Sequence, residues 1–262
     1  MQTELDFTGE LTPAHIREME KYNKFPKSQL EQHYDEVAPN YEGIYKRVGY
    51  PDPSKVQSMV SKYLSVHDSK EDINIIDFAC GSGLVGEALA ENGFTNITGV
   101  DISQKMLDLA KKKQVYLNLE KLELCQDDHI GTVPHHLRNK FDFLTAAGLI
   151  NNNHLDEKIF EQMLLCTKQC GYIVFSARFS YIGDYWYVQK LAELEKAGRL
   201  RFIDSESYFK YYKLEPGVGR FGKTPVKVFV YQKTEADTVM RSLKGHSSHT
   251  VSTVASEFSH RD

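Results

Sequence analysis

The sequence has no apolar run approaching the roughly 20 residues that a membrane-spanning helix needs. Its four cysteines show no Cys-x-x-Cys spacing, so neither a zinc site nor a disulfide framework is predicted. Reduced cysteines are typical of reducing compartments. Residues 1–6 are acidic and lack an apolar core, which argues against a signal peptide. We therefore expect a cytoplasmic protein without a metal site and without a membrane partner.

A strong excess of positive charge is also missing. The chain has 32 Lys and Arg residues against 36 Asp and Glu residues, which gives a net charge of −4. No strongly basic face for nucleic acid follows from this balance, so we expect a small-molecule partner and no nucleic acid. The short basic cluster at residues 111–113 falls in the last turn of a predicted helix, where cations complement the helix dipole.

The central part of the chain alternates short apolar segments with amphipathic helices, which is typical of a parallel sheet with crossover helices. Five strands are predicted, at residues 73–78, 97–101, 119–126, 141–147 and 172–177. The helices between them are predicted at residues 84–92 and 104–113, after Asp156, and at residues 184–197. Two further strands, within residues 200–213 and 226–233, have no long helix between them. The pattern predicts an α/β, doubly wound, mostly parallel sheet with an antiparallel C-terminal hairpin at its edge.

Composition also suggests where the domain begins and ends. Residues 1–30 are mixed and polar and are interpreted as an N-terminal extension. Residues 31–235 form the predicted main domain, whose first part, residues 31–70, is helical and rich in tyrosine. Residues 236–262 are rich in Ser, His and Thr with few large apolar residues, and this composition predicts a disordered tail.

The most informative segment is IIDFACGSG at residues 75–83, where a buried strand runs into a glycine turn. Gly81, Gly83 and Gly86 satisfy the spacing G-x-G-x-x-G, and Asp101 follows Gly81 by about 20 residues. Glycine allows the backbone to approach a cofactor closely, because a side chain there would occupy the ligand's space. This spacing alone also fits an NAD-dependent dehydrogenase.

The acidic residues around the glycine turn distinguish the two cofactors. A dinucleotide would bring phosphates towards Asp77, and one like-charge pair at about 5 Å costs roughly 3 kcal/mol at an effective dielectric near 20. S-adenosylmethionine brings a sulfonium and an ammonium, which Asp77 would favour. Asp101 would accept hydrogen bonds from the ribose hydroxyls, and Asp127 or Asp128 could accept a hydrogen bond from the adenine amino group. The charges therefore predict S-adenosyl-L-methionine as the cofactor.

Structural explanations stay open for the same residues. Gly83 and Gly86 could serve only close packing of a helix against a strand. Asp101 could serve only to cap the helix that begins near Ser103.

The runs IIDFACGSG and GVDIS resemble the first and second cofactor motifs of the class I S-adenosylmethionine-dependent methyltransferases. FDFLTAAG and GYIVFSAR are similar to the fourth and fifth strands of that fold. HYDEVAPNYE at residues 33–42 is similar to the lid helix with the pattern Tyr-Asp-x-x-Ala-x-x-Tyr. Within the class, ACGSGLVGEALAENGF and QKMLDLAKKK resemble the Williams–Beuren syndrome chromosome-region methyltransferase-like family. The resemblance covers residues 31–233 and implies a seven-stranded, Rossmann-like methyltransferase fold.

The resemblance also implies cofactor roles for individual residues. The methionine end is assigned to four of them, Asp77, Ala79, Gly81 and Gly83. Ribose and adenine are assigned to Asp101 and Ile102, with Met106 packing on the adenine and Asp127, or alternatively Asp128, bonding to it. The backbone of Ala146 and Ala147 would border the sulfonium. Tyr34 and Tyr41 are candidate lid residues, and as aromatic residues of a helix they are equally suited to the core.

The sequence assigns no catalytic residue, because methyl transfer depends mainly on alignment and needs a base only for a protonated nucleophile. The loop at residues 148–154 lacks the Asn/Asp-Pro-Pro-Tyr pattern of resembling amino-group methyltransferases, which argues against DNA adenine and glutamine acceptors. His154 is a candidate base or a surface residue. The aromatic segment at residues 179–187 is suited either to an acceptor pocket or to packing on the sheet. We predict a methyltransferase with a small-molecule acceptor; the alternative is a non-catalytic, cofactor-binding scaffold.

Overall fold

The structure is a computed structural model that describes residues 12–21, 27–125, 133–150, 156–178, 186–211, 213 and 223–234. The predicted tail at residues 236–262 and most of the predicted N-terminal extension lie outside these residues. Within the described part, none of the helices has the length and apolar character that crossing a bilayer requires.

Seven strands form one sheet. In chain order they are β1 (Asn74–Phe78), β2 (Asn96–Asp101), β3 (Asn118–Lys121), β4 (Phe141–Ile150), β5 (Thr167–Arg178), β6 (Leu200–Lys210) and β7 (Thr224–Lys233). Their spatial order is β3-β2-β1-β4-β5-β7-β6, and the pairs among β1 to β5 are parallel. β7 runs antiparallel to both β5 and β6. The predicted doubly wound sheet is confirmed, and its strand order reverses between β1 and β4, where ligands bind in such folds.

Helices cover both faces of the sheet. They are α1 (Pro13–Lys21), α2 (Leu30–Val37), α3 (Tyr41–Val48), α4 (Asp52–Tyr63), α5 (Leu84–Glu91), α6 (Gln104–Lys112), α7 (Ile159–Cys166) and α8 (Trp186–Lys196). α4 and α5 bury Val56 and Leu89 on one face, while α7 and α8 bury Phe160 and Leu191 on the other. Burial on both faces explains why the central strands read as continuous apolar runs.

The helices α2 and α3 make up the predicted lid. A 3-10 turn, Ala38–Asn40, separates them. Pro39 ends α2 there, because proline has no backbone N–H to continue a helix. Val37, Ile44 and Val48 pack against Met106 of α6, so the lid rests on the helix that follows β2.

Local end signals explain the helix boundaries. Ser103 caps α6, and its Oγ accepts a hydrogen bond of 3.1 Å from the backbone N–H of Met106. Gly93 follows α5 with a φ of +90°, a conformation that costs glycine little and ends the helix. Both were predicted from the sequence.

The predicted end of the third strand needs correction. The third strand ends at Lys121 and does not reach residue 126, because its neighbour β2 ends at Asp101 and offers no further hydrogen-bonding partner. The predicted antiparallel pair of C-terminal strands at the edge of the sheet is confirmed, with β7 beside β5 and β6 outermost. The helix predicted from Asp184 is described from Trp186 onward.

Candidate cofactor and acceptor site

The turn between β1 and α5 adopts an unusual backbone conformation. Ala79, Gly81 and Gly83 have φ values of +51°, +55° and +90°, which lie in the left-handed region. A Cβ atom built on Gly81 would have no other atom within 4 Å. The hydroxyl of Ser82 is buried and has no hydrogen-bond partner among the described residues. Open space at Gly81 beside an unpartnered polar group therefore fits a ligand that approaches the backbone closely.

The other glycines of this region leave space for the ring of Tyr116. A Cβ atom on Gly86 would lie 2.2 Å from Cζ of Tyr116, and one on Gly83 would lie 3.0 Å from its Cε2. A Cβ atom on Gly99 of β2 would lie 2.8 Å from Cε1 of the same ring. These distances favour the packing explanation for Gly83 and Gly86. Sequence reasoning missed Tyr116; three glycines in two adjoining elements were the available signal that a large side chain fits between them.

Asp77 lies in the interior, with 1 % of its surface exposed. Its Oδ2 accepts a hydrogen bond of 2.8 Å from the hydroxyl of Tyr116, and its Oδ1 accepts one of 2.8 Å from the hydroxyl of Thr145. Burial raises the pKa of Asp77 to about 7, although both hydrogen bonds favour its charged form. Asp77 is therefore only partly ionised at neutral pH, which weakens the predicted like-charge repulsion of a dinucleotide.

Asp101 joins the glycine turn to α6. Its Oδ2 accepts a hydrogen bond of 2.8 Å from the N–H of Gly81, and its Oδ1 accepts one of 2.9 Å from the N–H of Ser103. Burial raises the pKa of Asp101 to about 6, although the backbone donors favour its charged form. Asp101, which is predicted to bind the ribose, thus lies directly beside the open position at Gly81. Two backbone N–H groups fix the orientation of its carboxylate.

The lid is attached next to Asp101. Asp35 of α2 accepts hydrogen bonds from the hydroxyl of Ser103 at 2.6 Å and from the N–H of Lys105 at 3.2 Å. Lys113, which follows α6, pairs with Glu42 of α3 at 3.1 Å and with Glu87 of α5 at 3.0 Å. The contacts of Asp35 and Glu42 join the predicted lid to α6, the helix that follows Asp101, and the pair of Lys113 with Glu87 joins α6 to α5.

The structure brings most of the remaining predicted cofactor residues to this edge. Met106 is fully buried against the lid, and Ile102 is partly exposed beside Asp101. Ala146 and Ala147 directly follow Thr145, the residue of β4 that bonds to Asp77.

The two lid tyrosines are partly exposed. The ring of Tyr41 lies 4.4 Å from that of Tyr45, and Tyr34 meets His33 edge-on at 5.2 Å. Three predictions lie outside the described residues: Asp127 with Asp128, His154, and residues 179–185 of the aromatic segment.

A second polar cluster, which sequence reasoning missed, lies where β4 and β5 end. Asp52, the first residue of α4, is completely buried there with Ser176 of β5 and Lys210 of β6. The Oγ of Ser176 donates a hydrogen bond of 2.7 Å to Asp52, whose carboxylate lies 3.6 Å from the Lys210 ammonium. These residues come from distant parts of the chain, so no local pattern connects them.

Residues 69–198 match the model of a family described as a methyltransferase domain. The matched residues, just under half of the chain, form a methyltransferase domain, in agreement with the predicted class I S-adenosylmethionine-dependent methyltransferases. The match contains the glycine turn, Asp101 and the strands from β1 to β5. The methyltransferase domain explains why the open position at Gly81 and the acidic end of β2 adjoin at the carboxyl edge of the sheet. The cofactor of this class is S-adenosyl-L-methionine, and the open turn beside Asp101 fits it.

The curated relatives that match this chain are named as methyltransferases. A ubiquinone biosynthesis O-methyltransferase of Coxiella burnetii is 30% identical over 115 residues, which are 44% of this chain and 47% of that protein. A demethylmenaquinone methyltransferase of Lactobacillus johnsonii is 31% identical over 150 residues, which are 56% and 59% of the two chains. The chain thus spans about half the length of the curated relatives it matches.

Among solved structures, the magnesium protoporphyrin IX methyltransferase of Synechocystis, crystallised with bound S-adenosylmethionine, superimposes with a TM-score of 0.53. It shares 14% sequence identity, and the alignment covers 79% of this chain and 97% of that one. At this identity the similarity concerns the fold alone. Within the described residues of the methyltransferase domain, no group of His, Cys, Asp and Glu is arranged to hold a metal ion.

Proposed function

We propose that the protein binds S-adenosylmethionine at the turn between β1 and α5 and transfers its methyl group to a small-molecule acceptor. The contact between Asp101 and the N–H of Gly81 supports this most directly, since it joins an acidic group to the open backbone position. Tyr34, Tyr41, Ile102 and Met106 would complete the nucleoside side. Asp77 would act on the methionine end through the hydroxyls that bond to it, because both of its oxygens already accept hydrogen bonds.

S-adenosylmethionine supplies a methyl group that is already activated by its sulfonium. The protein therefore contributes mainly position and exclusion of water. Asp101 is held by two backbone donors, so its orientation is fixed before a ribose binds. The lid, attached through Asp35 to Ser103, would close over the nucleoside and keep water from it.

The names of the relatives support a small-molecule acceptor. One is named for O-methylation in ubiquinone biosynthesis and the other for methylation of demethylmenaquinone, and neither name refers to nucleic acid or protein. We extend this acceptor class to the present chain as a proposal, because only part of each relative is matched. The finer resemblance to the Williams–Beuren syndrome chromosome-region methyltransferase-like family also stays a proposal, since both of these relatives carry other names.

Calorimetry with S-adenosylmethionine, S-adenosylhomocysteine and NAD tests the cofactor. We expect the first two to bind and NAD to bind at least a hundredfold more weakly. Tight binding of NAD alone would refute the proposal.

Transfer is tested by incubating the protein and labelled S-adenosylmethionine with a metabolite extract. We expect the label in a small molecule. Cofactor binding without transfer to any acceptor would favour the non-catalytic scaffold.

A further inference from the structure

The buried polar cluster at the ends of β4 and β5 contains an unused hydrogen-bond acceptor. Asp52 has 0 % of its surface exposed. Its Oδ2 accepts the hydrogen bond from Ser176, but its Oδ1 accepts none from the described residues. Buried carboxylate oxygens almost always have a donor, because burial removes the hydrogen bonds that water would supply. The hydroxyl of Tyr208 on β6 interacts with Asp52 and is likewise buried without a hydrogen-bond partner among the described residues, so a ligand hydroxyl would meet an unsatisfied acceptor beside an unsatisfied donor.

Lys210, the cation of the cluster, also has hydrogen-bond donors that the described contacts do not fully satisfy. Lys210 is 4 % exposed, and its ammonium lies 3.6 Å from Asp52, beyond ordinary hydrogen-bonding distance. The ammonium also faces the rings of Tyr50 and Tyr211, whose centroids lie 5.5 and 5.4 Å away. An ammonium carries three donors, and a ring face satisfies none of them fully. An oxygen atom between Lys210 and Asp52 would serve both residues.

The cluster lies beside the predicted position of the reacting methyl group. Gly148 directly follows Ala147, which is predicted to border the sulfonium, and its N–H donates a hydrogen bond of 2.9 Å to the hydroxyl of Ser176. Gly148 has a φ of +72°, and a Cβ atom there would lie 2.9 Å from the Tyr50 hydroxyl. Both Gly148 and Tyr50 are partly exposed, so residues that border the cluster reach the surface at this point.

The polar groups of the cluster favour a hydroxyl over an amine. Arg178 donates a hydrogen bond of 2.9 Å to the Tyr211 hydroxyl, and the ammonium of Lys210 lies 3.6 Å from Oδ2 of Asp52. The neighbouring acid on β6, Glu206, is paired with Lys55 at 2.5 Å. A protonated amine has no lone pair with which to accept a hydrogen bond from Lys210, whereas a hydroxyl can accept from Lys210 and donate to Asp52.

Aromatic rings border the cluster on the lid side. The ring centroids of Tyr45 and Tyr50 lie 4.6 Å apart, and those of Tyr45 and Tyr211 lie 6.2 Å apart. Such surfaces hold planar, apolar molecules well. The chemistry that matches both the rings and the polar groups is a phenol.

We propose that Asp52 and Lys210 form the recognition site for the hydroxyl group of a phenolic acceptor. Oδ1 of Asp52 accepts a hydrogen bond from the hydroxyl, and the ammonium of Lys210 donates a hydrogen bond to the oxygen of the same hydroxyl. Tyr50 and Tyr45 hold the ring of the acceptor. This inference rests on the proposed function, because it identifies the acceptor site of the same reaction.

The test uses para-nitrophenol and para-nitrotoluene, which differ in the hydroxyl, and measures the binding of each by calorimetry with S-adenosylhomocysteine present. We expect the full chain to bind the phenol at least tenfold more tightly. We also expect the visible absorption of bound para-nitrophenol to shift towards that of its phenolate, because a hydrogen bond to the Asp52 carboxylate draws the proton away from the phenol oxygen. Equal affinity for the two compounds would overturn the proposal.

The double variant Asp52→Asn, Lys210→Met removes both charges together and leaves no unpaired buried ion. It should lose the preference for the phenol and the absorption shift while retaining its affinity for S-adenosylhomocysteine. The matched control is Asp142→Asn, Lys168→Met, which removes an ion pair of 2.8 Å at the opposite end of β4 and β5. Its preference should equal that of the original chain.

The single variant Asp52→Asn provides a second test if the double variant does not fold. Asparagine preserves the shape of the side chain but removes its charge, so the preference for the phenol should fall at least fivefold. An unchanged preference in either Asp52 variant would refute the site. Failure of S-adenosylhomocysteine to bind the unaltered chain would refute the proposed function instead, so the two failures are distinguishable.

Discussion

The hydroxyl of Tyr116 donates a hydrogen bond of 2.8 Å to the buried carboxylate of Asp77 and accepts one of 3.1 Å from the N–H of Gly86. One side chain thus connects the end of β1 to the first turn of α5. Gly83, Gly86 and Gly99 leave the space that its ring occupies. The glycine motif therefore has two physical roles, since Gly81 leaves space on the open side of the turn and the others accommodate Tyr116.

Asp77 should make stability depend on pH. Its pKa rises from 3.8 to about 7 on folding, so the folded chain binds this proton more tightly than the unfolded chain. The resulting stabilisation is complete below about pH 4 and is lost as the pH rises through 7. A shift of this size corresponds to roughly 4 kcal/mol at most. Asp77→Asn should flatten the fall in the free energy of unfolding between pH 4 and pH 7, measured by urea denaturation.

The exposed carboxylate of Asp108 on α6 gives the control, and Asp108→Asn should retain the full pH dependence. An unchanged slope in the Asp77 variant would mean that Asp77 ionises in the folded protein as it does in the unfolded chain.

Gly81→Ala and Gly86→Ala should separate ligand binding from packing. At Gly81 the new methyl group meets no atom, so the cost to stability is only the positive φ, about 1 kcal/mol, whereas affinity for S-adenosylmethionine should fall at least tenfold. At Gly86 the methyl group would overlap the Tyr116 ring, which should destabilise the fold by about 1–3 kcal/mol or more. Thermal unfolding and calorimetry measure the two effects. If both variants lost the same affinity for S-adenosylmethionine and had the same stability, the separate roles of Gly81 and Gly86 would be contradicted.

Ala79→Gly should stabilise the fold. A non-glycine residue in the left-handed region costs about 1–2 kcal/mol, and glycine removes that strain at the expense of a more flexible unfolded chain. We expect a net gain of about 0.5–1 kcal/mol in the free energy of unfolding by urea denaturation. The control, Ala90→Gly within α5, should lose about 1 kcal/mol. A loss at both positions would show that Ala79 is not strained.

Asp101→Asn should weaken binding of S-adenosylmethionine by about 1–3 kcal/mol, because a charged hydrogen-bond acceptor is replaced by a neutral amide. Burial raises the pKa of Asp101 to about 6, so affinity in the unaltered chain should fall as the pH drops below that value. The variant should lack this fall. Calorimetry between about pH 5 and pH 8 measures both effects, and identical pH profiles would mean that Asp101 does not contact the ribose.

The match between sequence and structure is best where the signals are local. Ser103 caps α6 because its own hydroxyl reaches the N–H of Met106, three residues away. The strand that ends at Asp101 and the helix that follows it depend on short-range patterns of the same kind. The prediction for β3 was too long by several residues, because a strand's end depends on its neighbour, and β2 offers no partner beyond Asp101.

The sequence by itself determined the class of sheet, the glycine turn and the two acidic residues beside it, since these follow from periodicity, backbone freedom and spacing along the chain. Only the tertiary structure decided what surrounds each acid. Asp77 is enclosed by Tyr116 and Thr145, and Asp52 meets Lys210 across more than half of the chain. Contacts between distant residues depend on how strands and helices pack, and packing leaves no periodic trace in the residues that it brings together.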